Sequence, residues 1–276
     1  LSHKKSILIV CGSGNNGADG LALARLLHKK YEIKIYLISD CKSSMSKLQY
    51  DRVKTLEIEF VDELYDADIV VDSIFGTGLN KSLDENTKNI INQLNTFNGF
   101  KIACDIPSGI NQFGQIADIA FKADVTLTMG ALKTSLFSDI AKDYTGEIIV
   151  CDLGIQREVY ETNSNKYLLE KCDMNLPFRN KKNSHKGSFG HLNVVGGTKK
   201  GASVICAEAG FSFGAGLVTV VTHEELNLSQ HIMQNHFISE NCTAIAIGMG
   251  LGIFENGEIK KILQKDISLV IDADLF

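Results

Sequence analysis

The chain has 276 residues, enough for one large or two ordinary domains, and its 44% hydrophobic and 22% charged content is that of a soluble globular protein. A net charge of −5 gives no general attraction to nucleic acid or to an anionic membrane, and no apolar run is long enough to cross a bilayer. The seven cysteines are scattered, odd in number and form no C-x-x-C pair, which argues against a disulfide frame or a zinc site and for a reducing, cytoplasmic compartment.

Residues 6–10 (SILIV) form an apolar, β-branched run that predicts a buried strand. Residues 21–27 carry apolar side chains at helical spacing, and Gly12, Gly14 and Gly17 make a tight turn between the two. A strand, a glycine turn and a helix start form an anion cradle, because unpaired backbone N–H groups point out of the helix N-terminus. Gly12-x-Gly14-x-x-Gly17 fits the dinucleotide fingerprint, a match that a plain βα turn also gives. Asn15, Asn16 and Asp19 fall where a pyrophosphate would rest. A carboxylate there repels phosphate unless a cation lies between them or it meets a hydroxyl or amide instead. The other reading of Asp19 is a helix cap.

Further strands are predicted at 33–38, 69–72, 101–104, 125–128 and 147–151, with helices at 43–56 and 85–94. This alternation predicts a parallel sheet covered on both faces. Function in such sheets collects at the carboxyl ends of the strands. Three strands end in polar loops, 12–20, 72–79 and 105–109, which offer Asn15, Asn16, Asp19, Asp72, Asp105 and Ser108. Amide, carboxylate and hydroxyl oxygens are hard donors that suit an alkali ion or Mg²⁺ rather than zinc or copper. A single Asp after a strand is as readily a turn residue, so the weight lies in three such loops at one sheet edge.

The motifs GSGNNGADG at 12–20, VDSIFGTGL at 71–79 and CDIPSG at 104–109 occur in that order. Together they resemble the N-terminal NAD(P)H-hydrate epimerase domain of the bacterial bifunctional NAD(P)H-hydrate repair enzymes. The resemblance implies a Rossmann-like sheet on which Asn16, Asp72 and Ser108 hold a potassium ion. It implies that Asn15, Asn16, Gly17, Ala18 and Asp19 line the hydrated nucleotide, NAD(P)HX, together with Gly76, Thr77, Gly78, Leu79, Asn80, Lys81 and Ser82. Asp105 then lies against the hydrated nicotinamide ring as the acid/base. Ala18 departs from the family pattern, which has glycine there, and the family's helices before the first strand are not seen.

Residues 156–183 are rich in Asn, Lys and Glu and read as a solvated linker between a domain at 1–155 and a second at 184–276. Beyond it, strands are predicted at 191–195, 216–221, 243–247 and 268–272, with helices at 201–214 and 255–263. Glycine loops at 196–197 and 248–252 let backbone approach a phosphate or ribose, or only pack tightly. His231 and His236 are too far apart for a helical pair and read as surface or helix residues.

HKGSFGHLNVVGG, GASVICAEAGFSFGAGLVTV, AIAIGMGLG and VIDAD, in that order, resemble the dehydratase domain of the same repair enzymes. That resemblance implies a ribokinase-like fold, with Ala202 and Gly250 facing the hydrated nucleotide and ADP or ATP with Mg²⁺ driving water off the S form. The family's later H-P-G-E, lysine-glycine and G-x-G-D segments are not in these residues. The chain also starts at Leu1 rather than Met and ends at Phe276 just after a strand, so it reads as a piece of a longer frame with an incomplete, inactive dehydratase half. The fold expectation is therefore α/β throughout, a Rossmann-like parallel sheet followed by an incomplete ribokinase-like domain. Two other functions fit the residues less well: a Rossmann dehydrogenase with Asp40 on the ribose, and a nucleotide-binding protein without catalysis. No nucleic-acid or membrane partner is expected, and a homo-oligomer stays open.

Overall fold

A computed structural model of the chain describes residues 5–79, 82–116, 118–160, 166–174, 176, 178–252 and 256–275. The chain divides into two compact units, Leu1–Leu168 and Leu169–Phe276.

In the first unit, β1 (Ser6–Cys11), α1 (Asn15–Leu27), β2 (Glu32–Leu37), α2 (Ser44–Lys54) and β3 (Glu59–Val61) are followed by β4 (Ile69–Ser73) and α3 (Glu85–Thr96). Then come β5 (Phe100–Cys104), β6 (Val125–Met129), the short turn α4 (Lys142–Thr145), β7 (Glu147–Cys151) and a second short turn, α5 (Arg157–Tyr160). The seven strands are all parallel, in the order β3-β2-β1-β4-β5-β6-β7.

The sequence of β1 explains why both sheet faces are covered. Successive side chains of a strand point to opposite faces. Leu8 and Val10 join one apolar cluster with Ile90, Ile91 and Leu94 of α3. Ile7, Ile9 and Cys11 join another with Leu21 and Ala24 of α1 and Val53 of α2. A strand apolar on both faces is stable only as an inner strand between two helical layers.

The strand order reverses between β1 and β4. In open α/β sheets that reversal opens a crevice at the carboxyl ends of the two strands. The loops after β1 and β4 flank it.

Helix α3 is held at its start by Asp84, whose carboxylate accepts from the Thr87 backbone N–H at 2.7 Å. Asp84→Ala should cost about 1 kcal/mol of stability, measured as a lowered thermal midpoint with no change in ligand binding.

In the second unit, β8 (His191–Val195), α6 (Lys200–Phe213), β9 (Leu217–Val221), β10 (Met233–Asn235), β11 (Ala244–Ile247), α7 (Asn256–Leu263) and β12 (Ser268–Ile271) form a five-stranded parallel sheet. Its order is β10-β9-β8-β11-β12, so here too the chain reverses direction across the sheet, between β8 and β11. Val194, Ala207, Val218 and Val220 pack one face, and Val195, Ile245, Ile247 and Ile262 the other.

Two features differ from the sequence reading. Helix α1 begins at Asn15, six residues before the apolar spacing begins, so Asp19 lies within the helix and is not its cap; the cap is Gly14. Strands β3 and β10 are only three residues long, β10 is exposed throughout, and neither carries an apolar run long enough to read as a strand. His231 and His236 are exposed, the surface alternative of the sequence reading rather than a difference from it. Between 166 and 183 every described residue is exposed.

Candidate functional site

The glycine turn after β1 is fixed by contact, not by flexibility. A Cβ on Gly12 would sit 2.0 Å from the Ile74 carbonyl oxygen, and one on Gly17 would sit 1.8 Å from the Gly12 carbonyl oxygen. Both distances are far inside van der Waals contact, so only glycine lets the loops after β1 and β4 meet and the first turn of α1 close on them. Gly14 has no neighbour within 4 Å of its missing Cβ. No side chain caps α1 there and its first turn holds no acid. The helix N-terminus thus presents its free N–H groups at an open surface.

Asp72, at the end of β4, is fully buried. Its Oδ1 accepts from the Ser108 hydroxyl at 2.7 Å and from the Ile74 N–H at 3.0 Å, and its Oδ2 accepts from the Ser108 N–H at 2.7 Å. Burial pushes this carboxyl up to about 6, against the pull of those donors. Ser108 Oγ in turn accepts from the Phe75 N–H at 2.9 Å. The loops after β4 and β5 are therefore locked together through one carboxylate and one hydroxyl.

The next residue, Gly76, carries the cluster to the other groups. Its missing Cβ would lie 3.0 Å from Asp105 Oδ2 and 3.4 Å from Asn16 Oδ1. Asn16 Nδ2 is buried without a hydrogen-bond partner. Asp105 has a left-handed backbone, φ 73°, in which Asp is tolerated better than most residues. Its Oδ1 accepts from the Met129 N–H at 3.2 Å and pairs with Lys133 Nζ at 2.7 Å.

Asp19 is exposed at the surface, and its carboxyl is pushed up by partial desolvation first and then by the charge of Asp105. The Cys104 thiol is pushed up to about 12, by burial first and then by the charge of Asp19, with Asp105 and Asp72 adding to it. Three carboxylates thus surround the end of β5.

Asn16, Asp72, Ser108, Asp105 and Asp19 from the sequence reading come together at this edge. Ala18 is buried in α1 and Leu79 is buried, while Asn15, Thr77, Gly78 and Ser82 are exposed. Asn80 and Lys81 lie outside the described residues. Lys133 was missed. The loop after β6 lies beside the loop after β5 in a parallel sheet, and that adjacency is the only signal that could have pointed to it.

The donor set fits a potassium ion. A buried carboxylate has no cationic side chain paired with it among the described residues, and hard oxygens adjoin it. From Asn16 the atom that could join them as a ligand is Oδ1, while its buried, unpartnered Nδ2 is a donor that calls for an acceptor at this edge.

In the second unit, Gly250 (φ 62°) would put a Cβ 3.0 Å from the Ala202 Cβ, so these two sequence-predicted residues face each other. The loops after β8 and β11 meet here, with the Lys199 N–H donating to the Gly250 carbonyl at 3.0 Å. A cavity of about 390 Å³ opens beside them, lined by Gly197, Thr198, Thr222, His223, Glu224 and Leu251 among others.

Two α/β units with glycine loops at their strand reversals, the first carrying hard oxygens, define a two-domain protein of the parallel α/β class. Residues 1–135 match the model of the YjeF-related protein N-terminus, and residues 192–276 match that of NAD(P)H-hydrate dehydratase. The chain is 38% identical to the bifunctional NAD(P)H-hydrate repair enzyme of Helicobacter pylori over 98% of its length, covering 59% of that protein. It is 33% identical to the enzyme of that name from Dictyoglomus turgidum, over 99% of this chain and 61% of the relative. For Coxiella burnetii the figures are 30%, 98% and 61%. The chain is thus similar over nearly all of its length to bifunctional NAD(P)H-hydrate repair enzymes, and it spans about three fifths of the length of these relatives. No helix among the described residues is long and apolar enough to cross a membrane.

Proposed function

We propose that the first unit interconverts the R and S epimers of hydrated NADH or NADPH, and that Asp105 is its acid/base. The observation that carries this reading is the meeting of Asp105 Oδ2 and the Asn16 amide at Gly76, next to the buried Asp72–Ser108 pair. Inverting the hydroxyl-bearing ring carbon means breaking one bond to it and remaking that bond on the opposite face. A proton leaves and returns during the cycle, and Asp105 Oδ2 is its carrier.

Asn16, Asp72 and Ser108 hold potassium in this reading, and the bound ion supplies positive charge that screens the carboxylates from the phosphates. Asn15 to Asp19 at the start of α1 bind the nucleotide, with the pyrophosphate on the free N–H groups. Gly76 to Leu79 line it as well; a Cβ at Gly76 would crowd Asp105 and Asn16.

In the second unit, Ala202 and Gly250 leave room for the hydrated nucleotide, as befits a domain that removes water from it. The lining carboxylate Glu224 is already ion-paired with Lys200 at 2.9 Å. The glycine loops are of the kind that takes the phosphates of ADP or ATP, while Glu224, paired with Lys200, is not free to serve as a ligand for Mg²⁺. Seven free cysteines suit a reducing, cytoplasmic setting.

The test starts from purified R epimer and follows the S form by chromatography, in potassium and in sodium. Faster interconversion with the chain than without it, and faster in potassium, supports the reading. Hydride transfer to a second substrate, or NADPH binding with no interconversion, points instead to a dehydrogenase or to a binding protein.

A further inference from the structure

We propose that Lys133 is the positioning residue for Asp105: by holding Oδ1 it leaves Oδ2 as the oxygen that faces the substrate. This rests on the epimerase reading and adds a residue outside the three loops that carry its motifs.

The Lys133 ammonium has four oxygens around it. Besides Asp105 Oδ1 at 2.7 Å, they are Thr128 Oγ1 at 2.8 Å, the Met129 carbonyl at 2.9 Å and the Ala131 carbonyl at 3.4 Å. Three N–H bonds are fully used by such a set, so the ammonium has no donor left for substrate and must act through Asp105. The Lys133 and Asp105 side chains are 22% and 14% exposed. A pair this shielded is held in one geometry far more firmly than a surface pair.

Two donors, the Lys133 ammonium from the loop after β6 and the N–H of Met129 at the end of β6, converge on the same oxygen of Asp105. The carboxylate is thereby fixed in rotation, with its second oxygen against Gly76. Without the ammonium one donor remains, and the nearby charge of Asp19 pushes the carboxylate out of place. Asp105 sits at a left-handed backbone position, so its side chain leaves the chain at an angle its own strand does not set. The neighbouring loop has to set it.

The experiment compares the full chain with Lys133→Met, Lys133→Arg and Lys133→Ala, the last with and without added methylammonium, in potassium. We expect Lys133→Met to lower kcat about 10- to 100-fold, the scale of a misplaced catalytic group. KM should stay unchanged and the thermal midpoint should fall somewhat, because the oxygens around the ammonium lose their donor, while Lys133→Arg should recover part of the rate and methylammonium should rescue Lys133→Ala. A Lys133→Met rate equal to wild type overturns the proposal. So does a loss of rate that follows the thermal midpoint and that neither arginine nor methylammonium restores, because then the lysine only ties its own loop. A crystal structure of Lys133→Met reads the same point without turnover: Asp105 leaves its place against Gly76 if the proposal holds and stays there if it does not. An inactive wild-type chain would count against the epimerase reading, while the crystal structure would still decide the role of Lys133.

Discussion

Asp105→Asn should lower epimer interconversion by about 10²- to 10⁴-fold, the range typical of removing a positioned acid/base. Asn is the informative replacement because residue 105 has φ 73°, where Asn is well tolerated and Ala is strained. The amide keeps the shape of the side chain, and its carbonyl can still accept from the Met129 N–H, but it cannot carry a proton. Asp105→Ala should abolish interconversion as well, with some loss of stability added. In both variants potassium binding should persist, since Asp72 and Ser108 bond to one another and not to Asp105. Rates from purified R epimer, with a potassium titration of the thermal midpoint alongside, check both halves. Interconversion at the wild-type rate in Asp105→Asn would remove Asp105 from the chemistry.

A second large effect concerns Asp72 and pH. Without potassium, this carboxyl has a pKa of about 6 in the fold and an ordinary carboxylate value in the unfolded chain. The folded state then binds the proton more tightly. Stability from this group is fully present below pH ~4 and is lost as pH rises through about 6. The gap between the folded and unfolded values corresponds to roughly 3 kcal/mol. A cation on Asp72 favours its charged form, so saturating potassium should flatten that fall. Thermal midpoints from pH 4 to 7, in potassium chloride and in tetramethylammonium chloride, measure it. Identical slopes in the two salts would show that no cation meets Asp72. Asp72→Ala should remove the potassium effect altogether. It should also cost about 2–5 kcal/mol, because the Ser108 and Ile74 N–H groups and the Ser108 hydroxyl lose their buried acceptor.

The alternation of β-branched runs with helical spacing made the parallel sheets legible, because each inner strand must be apolar on both faces. The start of α1 was not legible. Asn15–Gly20 reads NNGADG, all poor helix formers by intrinsic propensity except Ala18. Packing overrides propensity here: Gly17 closes on the Gly12 carbonyl, and a Cβ on Gly20 would meet Ser73 and Cys11 at 2.7–2.8 Å. Strands β3 and β10 were missed because an edge strand of three residues is too short to carry a periodic signal. Asn16, Asp72, Asp105 and Ser108 were found because each stands in a motif after a strand. Lys133 stands in no such motif, and its partner is 28 positions away by residue number (133 − 105). Only the side-by-side placement of β5 and β6 brings the two together.

In the proposed site, oxygens from the loops after β1, β4 and β5 share one monovalent cation beside the nucleotide. Anomalous scattering from a crystal of the chain grown with thallium(I), a heavy stand-in for potassium, tests this most directly. A peak within coordination distance of Asn16, Asp72 and Ser108 is the predicted result. A well-diffracting crystal with thallium bound elsewhere and none among these three residues would contradict it.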